Sequence, residues 1–180
     1  MIEQNLPQQL TPRGDVYPLT AEHETQLRAR LIDEARSWIG TPYRQLGDVK
    51  GLAVDCSMLL VRCVIDSGLV EPFDPRPYPP AWFLHQSDER YIDWLGVVAV
   101  EVDAPKAGDF VTFQVGRAYA HSGILTSADH MVHAFADEKR VNESPLWTPA
   151  IAFINRGKKP RPRRFYDFFA RLKLNQPATL

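Results

Sequence analysis

The chain has 180 residues, of which 44% are hydrophobic and 24% charged, values that fit one globular domain with short extensions. Its formal net charge of -1 at pH 7 gives no general attraction to nucleic acid or to an anionic surface. The two cysteines, Cys56 and Cys63, are seven residues apart on one predicted helix, which is too far for a disulfide. We therefore expect two free thiols and no structural zinc site.

The N-terminal residues 1–18 are polar, contain three prolines and are predicted to form an extended arm. No basic start is followed by an apolar run, so we expect no Sec-type signal peptide and a chain that is cytoplasmic as synthesised. No apolar stretch approaches the roughly 18 residues of a membrane span.

Two helices are predicted next, each with a recognisable start and stop. Thr20 is placed to cap a helix that ends near Trp38, before Gly40 and Pro42. Asp55 is placed to cap a second helix, Cys56–Ser67, which Gly68 closes. The segment 71–82 holds five prolines and cannot be regular, and a further helix is expected around residues 81–95.

The second half of the chain is rich in β-forming residues separated by turn signals. The predicted strands are Val97–Val102, Asp109–Val115, Tyr119–Thr126, Met131–Phe135, Arg140–Glu143 and Ile151–Asn155. Helices followed by meandering strands predict an α+β domain over residues 19–155, with N-terminal helices packed on an antiparallel sheet. Residues 156–180 are predicted to form a basic C-terminal tail.

Cys56 is the first candidate for chemistry, because it directly follows the predicted helix cap. A helix N-terminus lowers the pKa of a thiol and offers N–H groups to an oxyanion. The alternative is a buried helix cysteine without chemistry, which is our interpretation of Cys63 within the apolar stripe.

A cysteine nucleophile needs an imidazole partner, and five histidines are available. His121 and His133 lie in neighbouring predicted strands that pair as a hairpin about residues 127–130, so the two rings can share one face. One would then act as base and the other would orient it. His23 and His130 are expected at the surface, and His85 could face either way.

Several short motifs, taken in order, resemble the NlpC-type cell-wall cysteine peptidases, which are papain-like. They are Gly-Thr-Pro-Tyr at 40–43, Gly-Leu-Ala-Val-Asp-Cys-Ser at 51–57, Ala-Gly-Asp at 107–109, His-Ser-Gly-Ile from His121, and Val-His-Ala around His133. The resemblance covers about residues 27–155. It implies hydrolysis of an amide bond in peptidoglycan stem peptides, often between D-glutamate and a diamino acid, without a metal or organic cofactor.

The resemblance also implies roles for matching residues. Cys56 would be the nucleophile, His121 the base and His133 the orienting third residue. Tyr43 would line the site and help the oxyanion, although it could instead be a turn aromatic packed on the core. Asp55 and Ser57 would contact the peptide end of the substrate, and Asp55 could serve as cap alone or in both roles.

One residue departs from the family pattern: Met58 stands where glycine usually follows Asp-Cys-Ser, which puts the substrate preference in doubt. The proline-rich insertion, with Trp82 and His85, is similar to that of members found in phage tails and gene transfer agents. In that case tail proteins would be partners and a virion would carry the enzyme to the cell wall.

Other functions remain open at this stage. An acyltransferase or a deamidase would share the thioester chemistry, and a phage tail component with a silent triad would use the chain only for docking. The basic tail is either simply solvated or attracted to anionic wall polymers or a membrane surface, with Phe165, Tyr166, Phe168 and Phe169 as an amphipathic anchor. Nucleic-acid binding is not expected, because no reading motif is present.

Overall fold

The fold is α+β, as predicted, with helices on an antiparallel sheet. A computed structural model describes residues 10–78, 90–154 and 159–176. The helices are α1 (Ala21–Ser37), α2 (Cys56–Asp66), α3 (Arg90–Val98), α4 (Pro149–Ala152) and α5 (Phe168–Leu174), with a 3-10 turn at Gly14–Val16. The strands are β1 (Asp48–Val49), β2 (Ala53–Val54), β3 (Val100–Val102), β4 (Phe110–Val115), β5 (Ala118–Leu125), β6 (His130–Phe135), β7 (Arg140–Pro145), β8 (Phe153–Ile154), β9 (Lys159–Pro160) and β10 (Arg163–Asp167).

The main sheet has six antiparallel strands in the order β3-β10-β4-β5-β6-β7. Helix α2 packs on β5 and β6, and its buried face includes Leu59, Leu60 and Cys63. The caps are the predicted ones: the Thr20 side chain accepts from the His23 N–H, and Asp55 accepts from the Met58 N–H. The first half of the chain therefore supplies one face of the core and the second half supplies the sheet.

The basic C-terminal tail is the main correction to the sequence analysis. Residues 163–167 form β10, which lies between β3 and β4 in the sheet rather than outside the domain. Tyr166, Phe168 and Phe169 are buried, so they cannot form an exposed anchor. Two arginines of this basic strand lie over aromatic rings, Arg163 over Trp147 and Arg164 over Tyr119, which accommodates charged residues within a sheet.

Smaller differences concern the ends of elements. Residues 97–98 end helix α3 instead of starting a strand, and residues 151–152 belong to helix α4, ahead of the short strand β8. The described part of the N-terminal arm is held against the core, since Leu10 and Val16 are buried and Pro12 bridges Val70. Trp82 and His85 lie outside the described residues. Among the helices that the structure describes, none has the length and apolar character needed to cross a membrane.

A buried arginine on α1 connects three parts of the fold. The Arg28 guanidinium donates to Glu24 at 2.7 Å, to Asp109 at 2.6 Å and to Asp167 at 2.7 Å. All four residues are buried. Gly108 has φ +88°, and a Cβ there would lie 3.2 Å from Arg28, so the Ala-Gly-Asp motif makes room for this side chain. Arg28 thereby joins α1 to the start of β4 and to the end of β10.

We expect Arg28→Met to lower the free energy of unfolding by about 3–5 kcal/mol, because Asp109 and Asp167 would stay buried without their counter-charge. The matched control is Arg36→Ala, which removes an exposed pair with Glu143 and should cost less than about 1 kcal/mol. Urea denaturation of both variants makes the comparison. Equal losses would show that the buried cluster does not carry this stability.

Candidate active site

Cys56 is the first residue of α2 and is only 8% exposed. Its Sγ lies 3.6 Å from the carbonyl oxygen of Ala120, the residue that precedes His121 on β5. Helix α2 packs against β5, so the helix start and the strand bring the thiol next to the histidine segment. The structure therefore places the N-terminus of α2 against the strand that carries His121.

His121 and His133 are direct neighbours on one face of the β5–β6 hairpin. Their rings are joined by a hydrogen bond of 3.1 Å between His121 Nε2 and His133 Nδ1. His121 is 5% exposed and His133 is fully buried. Since this bond uses Nε2 of His121, its Nδ1 is the ring nitrogen left to act towards the thiol.

The glycine of the His-Ser-Gly motif makes this pairing possible. Gly123 is directly opposite His133 in the register of β5 and β6. A Cβ at this position would lie 2.8 Å from the Val132 carbonyl oxygen and 3.1 Å from His133 Cβ. Any larger residue would push the strands or the His133 ring out of place, because real Cβ atoms do not approach this closely.

Cys56 and His121 line one cavity of about 250 Å³ together with Tyr43. Its other walls are mostly apolar but include two charged residues. They are formed by Phe113, Val115, Ala120, Phe135, Ala136, Asp137, Ala150, Ile151 and Arg161. The His121 ring packs against Phe135, with ring centroids 4.7 Å apart. The thiol, the imidazole and the phenol thus face a space large enough for part of a peptide.

Burial decides the protonation states of the pair. It raises the pKa of the Cys56 thiol to about 12, and the nearby Asp55 carboxylate acts in the same direction. Burial also holds the pKa of His121 well below its ordinary 6.5, with further lowering by His133 and Arg161. In this resting geometry, burial and Asp55 outweigh the pKa lowering expected from the helix N-terminus, so the neutral forms of Cys56 and His121 are favoured.

A comparison with protein families matches the model of the NlpC/P60 family over residues 40–152, which is more than half of the chain. The chain belongs to the NlpC/P60 family. The match contains Tyr43, Cys56, His121 and His133, whereas β10 and Arg161 lie beyond it. No significant match was found among curated protein sequences.

Several solved structures share the fold. NlpC2 from Trichomonas vaginalis superposes with a TM-score of 0.55 at 14% identity, over 79% of this chain and 47% of that one. The peptidoglycan hydrolase RipB from Mycobacterium tuberculosis gives 0.54 at 17% identity, over 88% and 73%. An N-acetylmuramoyl-L-alanine amidase from Bacteroides uniformis gives 0.50 at 13% identity, over 79% and 98%. The chain thus spans less than half the length of the Trichomonas protein.

The two residues predicted to bind the peptide end do not line this NlpC/P60 cavity in the described part of the chain. Asp55 is 2% exposed, and its carboxylate accepts from the N–H groups of Leu46 and Met58 and from the Tyr78 hydroxyl. These contacts give Asp55 a capping role that uses its oxygens internally. Ser57 is half-buried beside it, and its contact with substrate stays a prediction.

The remaining histidines take no part in the cavity as described. His23 is bonded to the Pro18 carbonyl oxygen, and His130 is bonded to Asp129 at the β5–β6 turn. His85 lies outside the described residues. The surface positions expected for His23 and His130 agree with these contacts.

Sequence reasoning missed the two charged residues on the cavity wall. Arg161 was counted within the basic tail, yet its side chain donates to the carbonyl oxygens of Ile151, Gln114 and Phe153 and reaches the cavity. Asp137 lies in the β6–β7 turn. Only the pairing of β10 with β4 and of β8 with β9 places Arg161 there, and no local pattern encodes such pairing.

We expect the alkylation rate of Cys56 by iodoacetamide to rise continuously between about pH 7 and pH 10, because a thiol with a raised pKa has little thiolate at neutral pH. Mass spectrometry of tryptic peptides measures the rate. Cleavage after Arg62 places Cys63 on a separate peptide, which serves as an internal control. A rate that already reaches its plateau below pH 7 would instead indicate a preformed thiolate–imidazolium pair.

Proposed function

We propose that this NlpC/P60 protein is a cysteine peptidase that hydrolyses an amide bond in peptidoglycan peptides. The observation that carries the proposal is the shared cavity of Cys56 and His121, with His133 bonded behind the imidazole. A thiol, a base and an orienting group in this order are the requirements of thioester chemistry. No metal or organic cofactor enters the steps below.

The first half-reaction forms a thioester. His121 Nδ1 takes the thiol proton as Cys56 Sγ attacks the amide carbonyl carbon, and the carbonyl oxygen becomes an oxyanion. Collapse of this intermediate breaks the carbon–nitrogen bond, and the imidazolium gives its proton to the leaving amine. In the second half-reaction His121 deprotonates water, which attacks the thioester and releases the carboxylic acid, while the imidazolium returns the proton to the thiolate.

Tyr43 is suited to stabilise the oxyanion. Burial raises the pKa of its phenol above the ordinary value of 10, and the neighbouring Cys56 and Asp55 groups act in the same direction. The hydroxyl therefore keeps its proton and can donate a hydrogen bond to a developing negative charge. The first turn of α2 offers a further donor. Asp55 caps the Met58 N–H, whereas the backbone N–H of Cys56 itself lies beside the thiol and is suited to donate to the oxyanion.

The substrate class is supported by the family and by the cavity. Two structural neighbours are named a peptidoglycan hydrolase and an N-acetylmuramoyl-L-alanine amidase. The cavity walls combine apolar surface with the opposite charges of Asp137 and Arg161, which suits a short peptide bearing both amine and carboxylate groups. Delivery by a phage tail particle stays a prediction from the resemblance.

We expect Cys56→Ala to abolish release of peptide fragments from purified peptidoglycan while the protein stays folded, because no other group on the cavity wall can form the thioester. Mass analysis of the released fragments measures the loss and identifies the bond cut. Cys63→Ala is the control, since that thiol is buried in the apolar face of α2. Full activity of Cys56→Ala would refute the nucleophile assignment. A product in which the released acyl group is joined to an amine or alcohol instead of being hydrolysed would indicate an acyltransferase.

We expect His121→Ala to reduce kcat more than His133→Ala does. His121 transfers protons in both half-reactions, which contributes about 100-fold to 10,000-fold, whereas His133 acts on it only through one hydrogen bond. Steady-state kinetics on the same peptidoglycan fragments measures both variants. Equal losses would remove the distinction between base and orienting residue.

A further inference from the structure

A buried nitrogen at the far end of the histidine pair has no hydrogen-bond partner among the described residues. His133 is fully buried, and its Nδ1 faces His121, but its Nε2 is unpaired. Leaving a buried polar atom without a hydrogen bond is unfavourable. Such a group in a native structure calls for an explanation.

The proton positions follow from the base role, so this step rests on the proposed function. His121 can accept the thiol proton at Nδ1 only if its Nε2 carries a hydrogen. That hydrogen is then donated to His133 Nδ1, which leaves His133 with its own hydrogen on Nε2. The unpaired nitrogen is therefore a donor and needs an acceptor.

Glu138 is placed to be this acceptor. Its Oε2 lies 4.0 Å from His133 Nε2, and the same oxygen accepts a hydrogen bond of 2.6 Å from the Asn142 side chain. Asn142 is directly opposite His133 in the register of β6 and β7. Glu138 lies in the turn between these strands, so the turn folds its carboxylate back over the two paired residues.

We propose that Glu138 is a positioning residue that accepts the Nε2–H of His133 and so completes the line of groups behind Cys56. The gap of 4.0 Å is about 1 Å longer than a hydrogen bond, and such contacts tighten when substrate binds. No proton passes to Glu138. Its negative charge offsets the positive charge that forms on His121 when the thiol proton arrives.

The charges around the two histidines support a hydrogen bond from His133 to Glu138. Burial lowers the pKa of His133 to about 4, and Glu138 acts against that lowering. Arg161 faces His121 and opposes protonation, while Asp137 lies on the cavity wall near Arg161. Glu138 is thus the carboxylate that favours a positive charge within the histidine pair.

The test compares Glu138→Ala, Glu138→Gln and a matched control. Asp129→Ala removes another turn carboxylate that contacts a histidine, but this histidine is His130, outside the cavity. For each variant, kcat and KM on purified peptidoglycan fragments are measured across pH. The nitrogen chemical shifts of isotope-labelled histidines report the His133 tautomer in the free protein.

We expect Glu138→Ala to lower kcat by about 10-fold to 100-fold with little change in KM, as when an outer partner of a histidine is lost. Glu138→Gln keeps an acceptor oxygen and should recover part of this loss, with the acid limb of the profile moved to lower pH because the negative charge is absent. Asp129→Ala should match the wild type.

Two results would overturn the proposal. The first is a wild-type kcat and acid limb in Glu138→Ala. The second is a wild-type His133 that carries its hydrogen on Nδ1. The chemical shifts are readable even if the wild-type protein hydrolyses no peptidoglycan, so failure of the proposed function and failure of the Glu138 role give different results.

Discussion

The fold depends on one buried cation. Arg28 contacts carboxylates from its own helix, from the residue before β4 and from the junction of β10 and α5. Asp109 fixes where β4 begins, and β4 sets the register of β5 so that Phe113 is opposite His121. The Ala-Gly-Asp motif thereby connects Arg28 on α1 to the strand that pairs with the His121 segment, although none of its residues lines the cavity.

At the candidate site, burial raises the pKa of the Cys56 thiol by more than the helix N-terminus would lower it. The partial positive charge of a helix end stabilises a nearby anion by about 0.3–1 kcal/mol at exposed positions, which is less than one pKa unit. Burial can move a pKa by several units. Cys56 combines both effects and has a carboxylate beside it, so its thiol keeps the proton. Under the proposed function, proton transfer from Cys56 to His121 would have to accompany attack on the substrate. The alignment of His121 would then matter more than a standing charge on sulfur.

Much of this arrangement could be predicted from the sequence because its signals are local. The caps Thr20 and Asp55, the helix starting at Cys56 and the hairpin that pairs the two histidines all depend on residues within about a dozen positions. The parts that could not be predicted depend on distant pairing: β10 enters the sheet between strands far earlier in the chain, and Tyr78 reaches the Asp55 carboxylate. The basic composition of residues 163–167 favoured a solvated tail over a strand. A sequence does not distinguish arginines that stack on aromatic rings from arginines that are fully solvated.

The burial of the Cys56 thiol affects its susceptibility to oxidation. Peroxide attacks thiolates rather than thiols, and oxidation to sulfenic acid requires access to the sulfur. Because burial raises the pKa of the Cys56 thiol to about 12, little thiolate is present at neutral pH. Under the proposed function, the Cys56 sulfur would therefore resist oxidation until its proton passes to His121 during attack on a substrate.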